Sequence, residues 1–178
     1  MNDLELVIRA AAFAAHKHRD QRRKDIGATP YINHPLTLAR ILSVEGGVTD
    51  VATIAAALLH DTLEDTETTP AEIEEQFGHE IRSIVEEVTD DKMLPKADRK
   101  RLQVEHAASA SRKAQLVKLA DKIANLRDVA TSPPDRWDLA RRQEYFDWGK
   151  LVVDRLRGAH PQLEALFDAA YEARPTKA

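Results

Sequence analysis

The chain has 178 residues, 43% of them hydrophobic, which is enough for one domain with a buried core. It contains no cysteine, so disulfides, thiolate catalysis and Cys-ligated zinc are excluded. The net charge of −4 argues against a nucleic-acid partner, and no stretch approaches the ~18 apolar residues of a membrane span. With acids rather than bases in MNDLELVIRAA, the N-terminus does not read as a secretory signal, and a cytoplasmic protein is expected.

In chain order the pattern is helical almost throughout. Leu4, Val7, Ile8, Ala11, Ala14 and Ala15 mark a first helix running to about Arg19. Lys17, Arg19, Arg22, Arg23 and Lys24 then form a basic cluster, which on an acidic chain suits a small anion better than DNA. After a loop with Gly27 and Pro30, Pro35 sits where a helix can begin, and the second helix continues through Leu42 to Gly46-Gly47. Asp50 is a natural N-cap for a third helix whose run Ile54 to Leu59 is apolar on every side, as in a central buried helix. Thr69-Pro70 opens a fourth, and Phe77-Gly78 separates it from a fifth through Ile81, Ile84, Val85 and Val88. Asp90 to Arg99, with Pro95, reads as a loop entering another helix. A long helix carries Leu116, Leu119, Ala120, Ile123 and Leu126 and ends before Pro133-Pro134, and two more follow at 139–156 and 163–171. The expectation is an all-α bundle of roughly eight to ten helices over 1–174, with 175–178 as a frayed tail.

The third helix ends in His60-Asp61-Thr62-Leu63-Glu64-Asp65, where His60 and Glu64, like Asp61 and Asp65, are spaced i, i+4. Several ionisable groups directly after an apolar run are costly to bury unless something pairs with them, and a divalent cation does so. An adjacent His-Asp is weak evidence alone, because a helix end with surface acids reads the same way. His34 lies in Pro30-Tyr31-Ile32-Asn33-His34-Pro35, and Asp121, Asn125 and Asp128 form a polar stripe on an otherwise apolar helix. That stripe could equally be an ordinary amphipathic face, its acids paired with Lys118 and Lys122. Together, His34, His60, Asp61 and Asp121 make a mixed nitrogen and oxygen set that suits Mn²⁺, Fe²⁺ or Zn²⁺ better than Mg²⁺ or Ca²⁺. Such an ion is a Lewis acid toward a phosphate ester. His16, His18, His79, His106 and His160 are read as structural or surface residues.

Four segments, HKHRDQRRKDIGATPYINHP (16–35), AALLHDTLEDT (56–66), VTDDKMLPKADRKRLQ (88–103) and LVKLADKIANLRD (116–128), resemble the HD hydrolase domain of the RelA/SpoT family. YFDWGKLVVDRLRG (145–158) matches as well, so the resemblance spans nearly the whole chain, most of all to stand-alone small alarmone hydrolases related to metazoan SpoT homologues. It implies an HD-type metal-dependent phosphohydrolase that removes the 3′-pyrophosphate of (p)ppGpp. It implies one Mn²⁺ per chain on His34, His60, Asp61 and Asp121, and Glu64 and Asp65 as the acidic pair acting on the attacking water. Arg23 and Lys24 would contact purine and phosphates, Tyr31, Asn125 and Tyr145 would line the nucleotide pocket, and Lys96 and Arg141 would meet phosphate. The partner implied is a guanine nucleotide. Another HD nucleotide phosphohydrolase, such as an NADPH 2′-phosphatase, and a silent nucleotide sensor are the alternatives, and the sequence does not fix the oligomeric state.

Overall fold

A computed structural model describes residues 2–177. It is helical, and among the described residues the only β-type pairings are the isolated bridges Arg22 with Pro30 and Asp25 with Pro134. Helix α1 spans Asp3–Lys17, α2 Asn33–Arg40, α3 Val51–Leu59, α4 Thr62–Asp65, α5 Pro70–Phe77 and α6 His79–Val88. Then come α7 (Lys96–His106), α8 (Arg112–Thr131), α9 (Leu139–Asp154) and α10 (Pro161–Glu172).

Local chemistry accounts for the helix starts. Asp50 accepts from the Thr53 amide at 2.8 Å, and Thr69 accepts from the Glu72 amide at 3.2 Å just before Pro70. Each satisfies an orphan first-turn donor. The centre is built on α3, whose Ala55, Ala56, Ala57, Leu58 and Leu59 are buried and pack against α1, α2, α6 and α8. Alanine's small side chain allows several helices to approach α3 at once. α8 is the second spine, carrying Leu119, Ala120, Ile123 and Leu126 inside, with α9 and α10 against its outer side.

Three boundaries differ from the sequence reading. α1 stops at Lys17, two residues early, as the His18 amide bonds back to Ala14 and the ring of His18 turns inward beside Tyr31. α2 passes into a π-helical turn over Ile41–Glu45, which the Gly46 amide closes onto the Ile41 carbonyl at 2.7 Å. The third helix does not run unbroken to Asp65: it ends at Leu59, and Asp61, at φ −94°, ψ −2°, precedes the short α4. At the C-terminus the carbonyls of Pro175 and Lys177 accept from Gln143 Nε2 at 2.9 Å and Arg142 Nη2 at 3.3 Å, while Ala178 lies outside the described residues.

Beneath the π turn, a β-carbon on Gly46 would stand 2.6 Å from Leu163 Cδ2 and 2.9 Å from the Leu42 carbonyl oxygen. Gly46→Ala should therefore destabilise the protein by about 1–3 kcal/mol, the usual range for overpacking. Urea denaturation checks this, and a midpoint equal to that of the parent protein would show that α10 yields freely.

Candidate metal and nucleotide site

Three helices deliver the cluster. His34 comes from the first turn of α2, His60 and Asp61 from the break between α3 and α4, and Asp121 from the middle of α8. One ligand atom from each of His34, His60 and Asp121 falls within 4.8 Å of the others. Asp61 stands beside this triad, with Oδ2 3.0 Å from His60 Nε2 and 4.0 Å from His34 Nε2. Asp121 Oδ1 is 3.2 Å from His34 Nε2.

The hydrogen bonding of His60 fits a metal ligand. Its Nδ1 faces the Ala57 carbonyl at 2.8 Å, and a carbonyl only accepts, so the ring proton belongs on Nδ1. That leaves the Nε2 lone pair pointing inward, buried and without a hydrogen-bond donor. It meets the Asp61 carboxylate, itself an acceptor, so a proton or a cation has to stand between them. Burial opposes charging of His60, but Asp61 and Asp121 outweigh it and raise its pKa to about 9. Burial keeps the pKa of His34 below the ordinary value. Burial also works against ionised carboxylates here, yet His60 holds Asp61 low and Lys122, with Nζ 2.9 Å from Asp121 Oδ2, holds Asp121 low. The carboxylates are therefore ionised and His34 is neutral, while His60 keeps a proton that a divalent ion would have to displace on binding.

The acids after the cluster diverge. Glu64 accepts from the Asp90 amide at 3.3 Å and lies 3.6 Å from Arg99, while Asp65 pairs with Lys92 and accepts from Tyr31 Oη at 3.3 Å. Burial raises the pKa of Glu64 to about 7, helped by the charges of Asp90, Asp61 and Asp65 and opposed by the Asp90 amide. Tyr31 also donates to Asp61 Oδ2 at 2.5 Å.

Two adjoining cavities lie over this region, and the cluster opens into one of them. The smaller, about 270 Å³, contains His34, His60, Asp61, Glu64 and Asp121 in its wall, together with Lys96. The larger, about 650 Å³, is bounded by Lys24, Thr29, Ser132 and Trp137. Arg23, Tyr31, Asp65, Asn125 and Tyr145 belong to both and form the seam. Arg23 is fixed there by Asp128 at 2.6 Å and sits 5.8 Å from the Tyr31 ring centre. Arg141 lines neither cavity; its guanidinium lies 4.9 Å over the Trp137 ring, on the wall of the larger one.

The sequence reading places Tyr145 in the nucleotide pocket but leaves Trp137 and Trp148, which flank it, unassigned. Trp137, Tyr145 and Trp148 make a row with ring centres 5.4 and 5.3 Å apart. The available signal was that an aromatic-poor chain places both its tryptophans within residues 137–148. Lys92 gave no signal, because its approach to Asp65 depends on the path of the loop between α6 and α7.

The HD domain family model matches residues 10–146. The chain is 60% identical over 167 residues to the guanosine-3′,5′-bis(diphosphate) 3′-pyrophosphohydrolase MESH1 of Xenopus tropicalis, covering 94% of this chain and 93% of that one. Identity to the Homo sapiens protein of the same name is 55%, with 94% of each covered. A solved structure described as a metazoan ortholog of SpoT that hydrolyzes ppGpp superposes with a TM-score of 0.92 at 47% identity, covering 97% of both chains. The match over residues 10–146, most of the chain, makes this protein a member of the HD domain family.

Proposed function

We propose that this protein hydrolyses the 3′-pyrophosphate of (p)ppGpp to GDP or GTP and pyrophosphate, with Mn²⁺ held by His34, His60, Asp61 and Asp121. The observation that carries this reading is the opening of the buried imidazole–carboxylate cluster into a cationic cavity that adjoins a larger, aromatic-walled one. A nucleotide with a second phosphate chain on its ribose needs such a pair of compartments. The 3′-pyrophosphohydrolase names of relatives at 55–60% identity support the same substrate.

When bound, the ion supplies Lewis acidity toward the phosphoryl group and lowers the pKa of water. The protein's own groups do the rest. Glu64 takes a proton from the attacking water, as its oxygen bonds to the phosphorus on the ribose 3′ oxygen. The P–O3′ bond breaks, and Glu64 returns the proton to the departing O3′. Asp65, which would orient the water, is held by Lys92, and by Gln21, whose side chain donates to the Asp65 carbonyl at 2.6 Å. Tyr31 steadies Asp61. Arg23, fixed by Asp128, offers a flat face to guanine beside Tyr145, while Lys24, Lys96 and Arg141 supply positive charge for phosphates.

The direct test is product analysis on a panel of ppGpp, pppGpp, NADPH and dNTPs with Mn²⁺. Pyrophosphate and GDP from ppGpp, at a kcat/KM above that for NADPH, is the expected result; NADPH ranked first would overturn the substrate.

The ion should bind only the folded state. At a free concentration 100-fold above its Kd it contributes about 2.7 kcal/mol, so chelation should lower Tm. In Asp121→Asn and His60→Ala, metal content should fall and the chelator-sensitive part of Tm should disappear. Full metal in either variant contradicts the assignment.

Glu64 has to be ionised to accept a proton, so kcat/KM should rise with pH through its pKa. That pKa is about 7 without the ion, and a bound cation lowers it, so the limb lies at or below 7. Glu64→Gln should retain metal, lose about 10²–10⁴-fold in rate and lose this limb. An unchanged pH–rate profile in the variant would exclude Glu64 as the base.

A further inference from the structure

Six cationic side chains line the smaller cavity: Arg23, Lys96, Arg99, Lys100, Lys118 and Lys122. Four are already neutralised. Arg23 pairs with Asp128 at 2.6 Å, Arg99 with Glu64 at 3.6 Å, Lys100 with Glu144 at 2.9 Å and Lys122 with Asp121 at 2.9 Å. Lys96 and Lys118 form no ion pair or side-chain hydrogen bond among the described residues. Lys96 stands at the start of α7, in the company of Arg141, Lys100 and Lys24.

Lys118 is the less expected of the two. It sits on α8, one turn before Asp121 and Lys122 and so on the same side of the helix. The nearest acids, Asp90, Asp121 and Glu87, act on its charge without forming an ion pair with it; Asp90 also accepts from the Gln103 side chain at 2.7 Å and Glu87 from the Ser111 amide at 2.6 Å. A half-buried ammonium next to the Lys122 ammonium, with no carboxylate in ion-pair contact, is costly in the free protein. An anion entering the cavity offsets that cost.

Four paired cations are spent on holding the site, and two unpaired ones remain for a ligand. The reacting phosphorus belongs beside His34, His60, Asp61 and Asp121. A terminal phosphate, one P–O–P bridge further out, carries most of the remaining charge and needs its own cations. We infer that Lys118, together with Lys96, binds the terminal phosphate of the 3′-diphosphate and makes this site favour a diphosphate over a single phosphate. The inference rests on the function proposed above and adds to it the residue that selects the leaving fragment. Lys118 contacts the part of the substrate that departs as pyrophosphate and takes no proton.

Lys118→Met keeps the length of the side chain and removes the charge. Metal content is measured first, then kcat/KM on ppGpp and on guanosine 5′-diphosphate 3′-monophosphate, then inhibition by inorganic pyrophosphate and by orthophosphate. The loss on ppGpp should be on the order of 10–100-fold, the worth of one hydrogen bond to a charged group. It should exceed the loss on the 3′-monophosphate by at least about ten-fold on the same basis. The inhibition constant for pyrophosphate should rise by a similar factor, and that for orthophosphate by much less. Reductive methylation of the wild-type protein gives an answer that does not depend on the variant folding: pyrophosphate should shield Lys118 from labelling, and orthophosphate should not. Equal losses on both substrates, or equal labelling of Lys118 with and without pyrophosphate, overturns the inference. Absence of ppGpp turnover by the metal-loaded wild type overturns the proposed function instead. Wild-type turnover with undiminished pyrophosphate affinity in Lys118→Met overturns the assignment of Lys118 alone.

Discussion

His60 Nε2 and Asp61 Oδ2 approach to 3.0 Å on adjacent residues at the end of the most buried helix in the protein. Both atoms are acceptors once Nδ1 carries the ring proton, and the contact lasts only with positive charge between or beside them. His34 Nε2 lies 3.2 Å from Asp121 and can donate to it, which leaves the buried Nδ1 of His34 without a partner. Groups of this kind in a core of Ala, Leu, Ile and Phe destabilise the fold unless they are compensated. Much of the surrounding architecture follows from that constraint. α3 carries the cluster inward, α2 and α8 close on it from two sides, and Lys122 is buried beside Asp121 with its ammonium 4.5 Å from the Trp148 ring centre. A divalent ion bound there would add to the compensation that Lys122 begins.

Charge is then graded outward from the cluster. Arg23 and Lys122 are each tied to a carboxylate and act as part of the wall. Lys92 and Arg99 reach the two acids that follow the cluster from the segment after α6, so the positions of Glu64 and Asp65 depend on that segment as well as on their own helix. The seam residues between the cavities combine flat faces, Tyr31, Arg23 and Tyr145, with the amide of Asn125, which donates to Asp121 at 2.6 Å. The seam between the cavities is thereby hydrogen-bonded directly to the imidazole–carboxylate cluster.

Much of this was legible in the sequence. Asp50 and Thr69 announced their helices because capping is local, and the apolar run from Ile54 to Leu59 announced the central helix because no face of it tolerates water. The cluster was legible because imidazoles and carboxylates beside apolar runs have few inexpensive explanations, and the resemblance of the flanking segments narrowed them. The break at His60-Asp61 was not legible. The i, i+4 spacing suggested shared faces for His60 with Glu64 and for Asp61 with Asp65, whereas in the structure Glu64 turns to Arg99 and Asp65 to Lys92. Lys92 is 27 residues from Asp65 along the chain and Arg99 is further still from Glu64, so only tertiary packing decides these partners. The π turn at 41–45 escaped for a similar reason, since it depends on Gly46 passing close to Leu163.

The central claim is that one divalent ion sits on the two imidazoles and two carboxylates of this core. Pulsed EPR of the protein loaded with Mn²⁺, with histidine ¹⁵N-labelled, reads the nitrogens bound to the ion without reference to activity. The account predicts couplings from two imidazole nitrogens, one of which vanishes in His34→Ala. A spectrum with no directly bound nitrogen, the ion carrying only oxygen ligands, would contradict it.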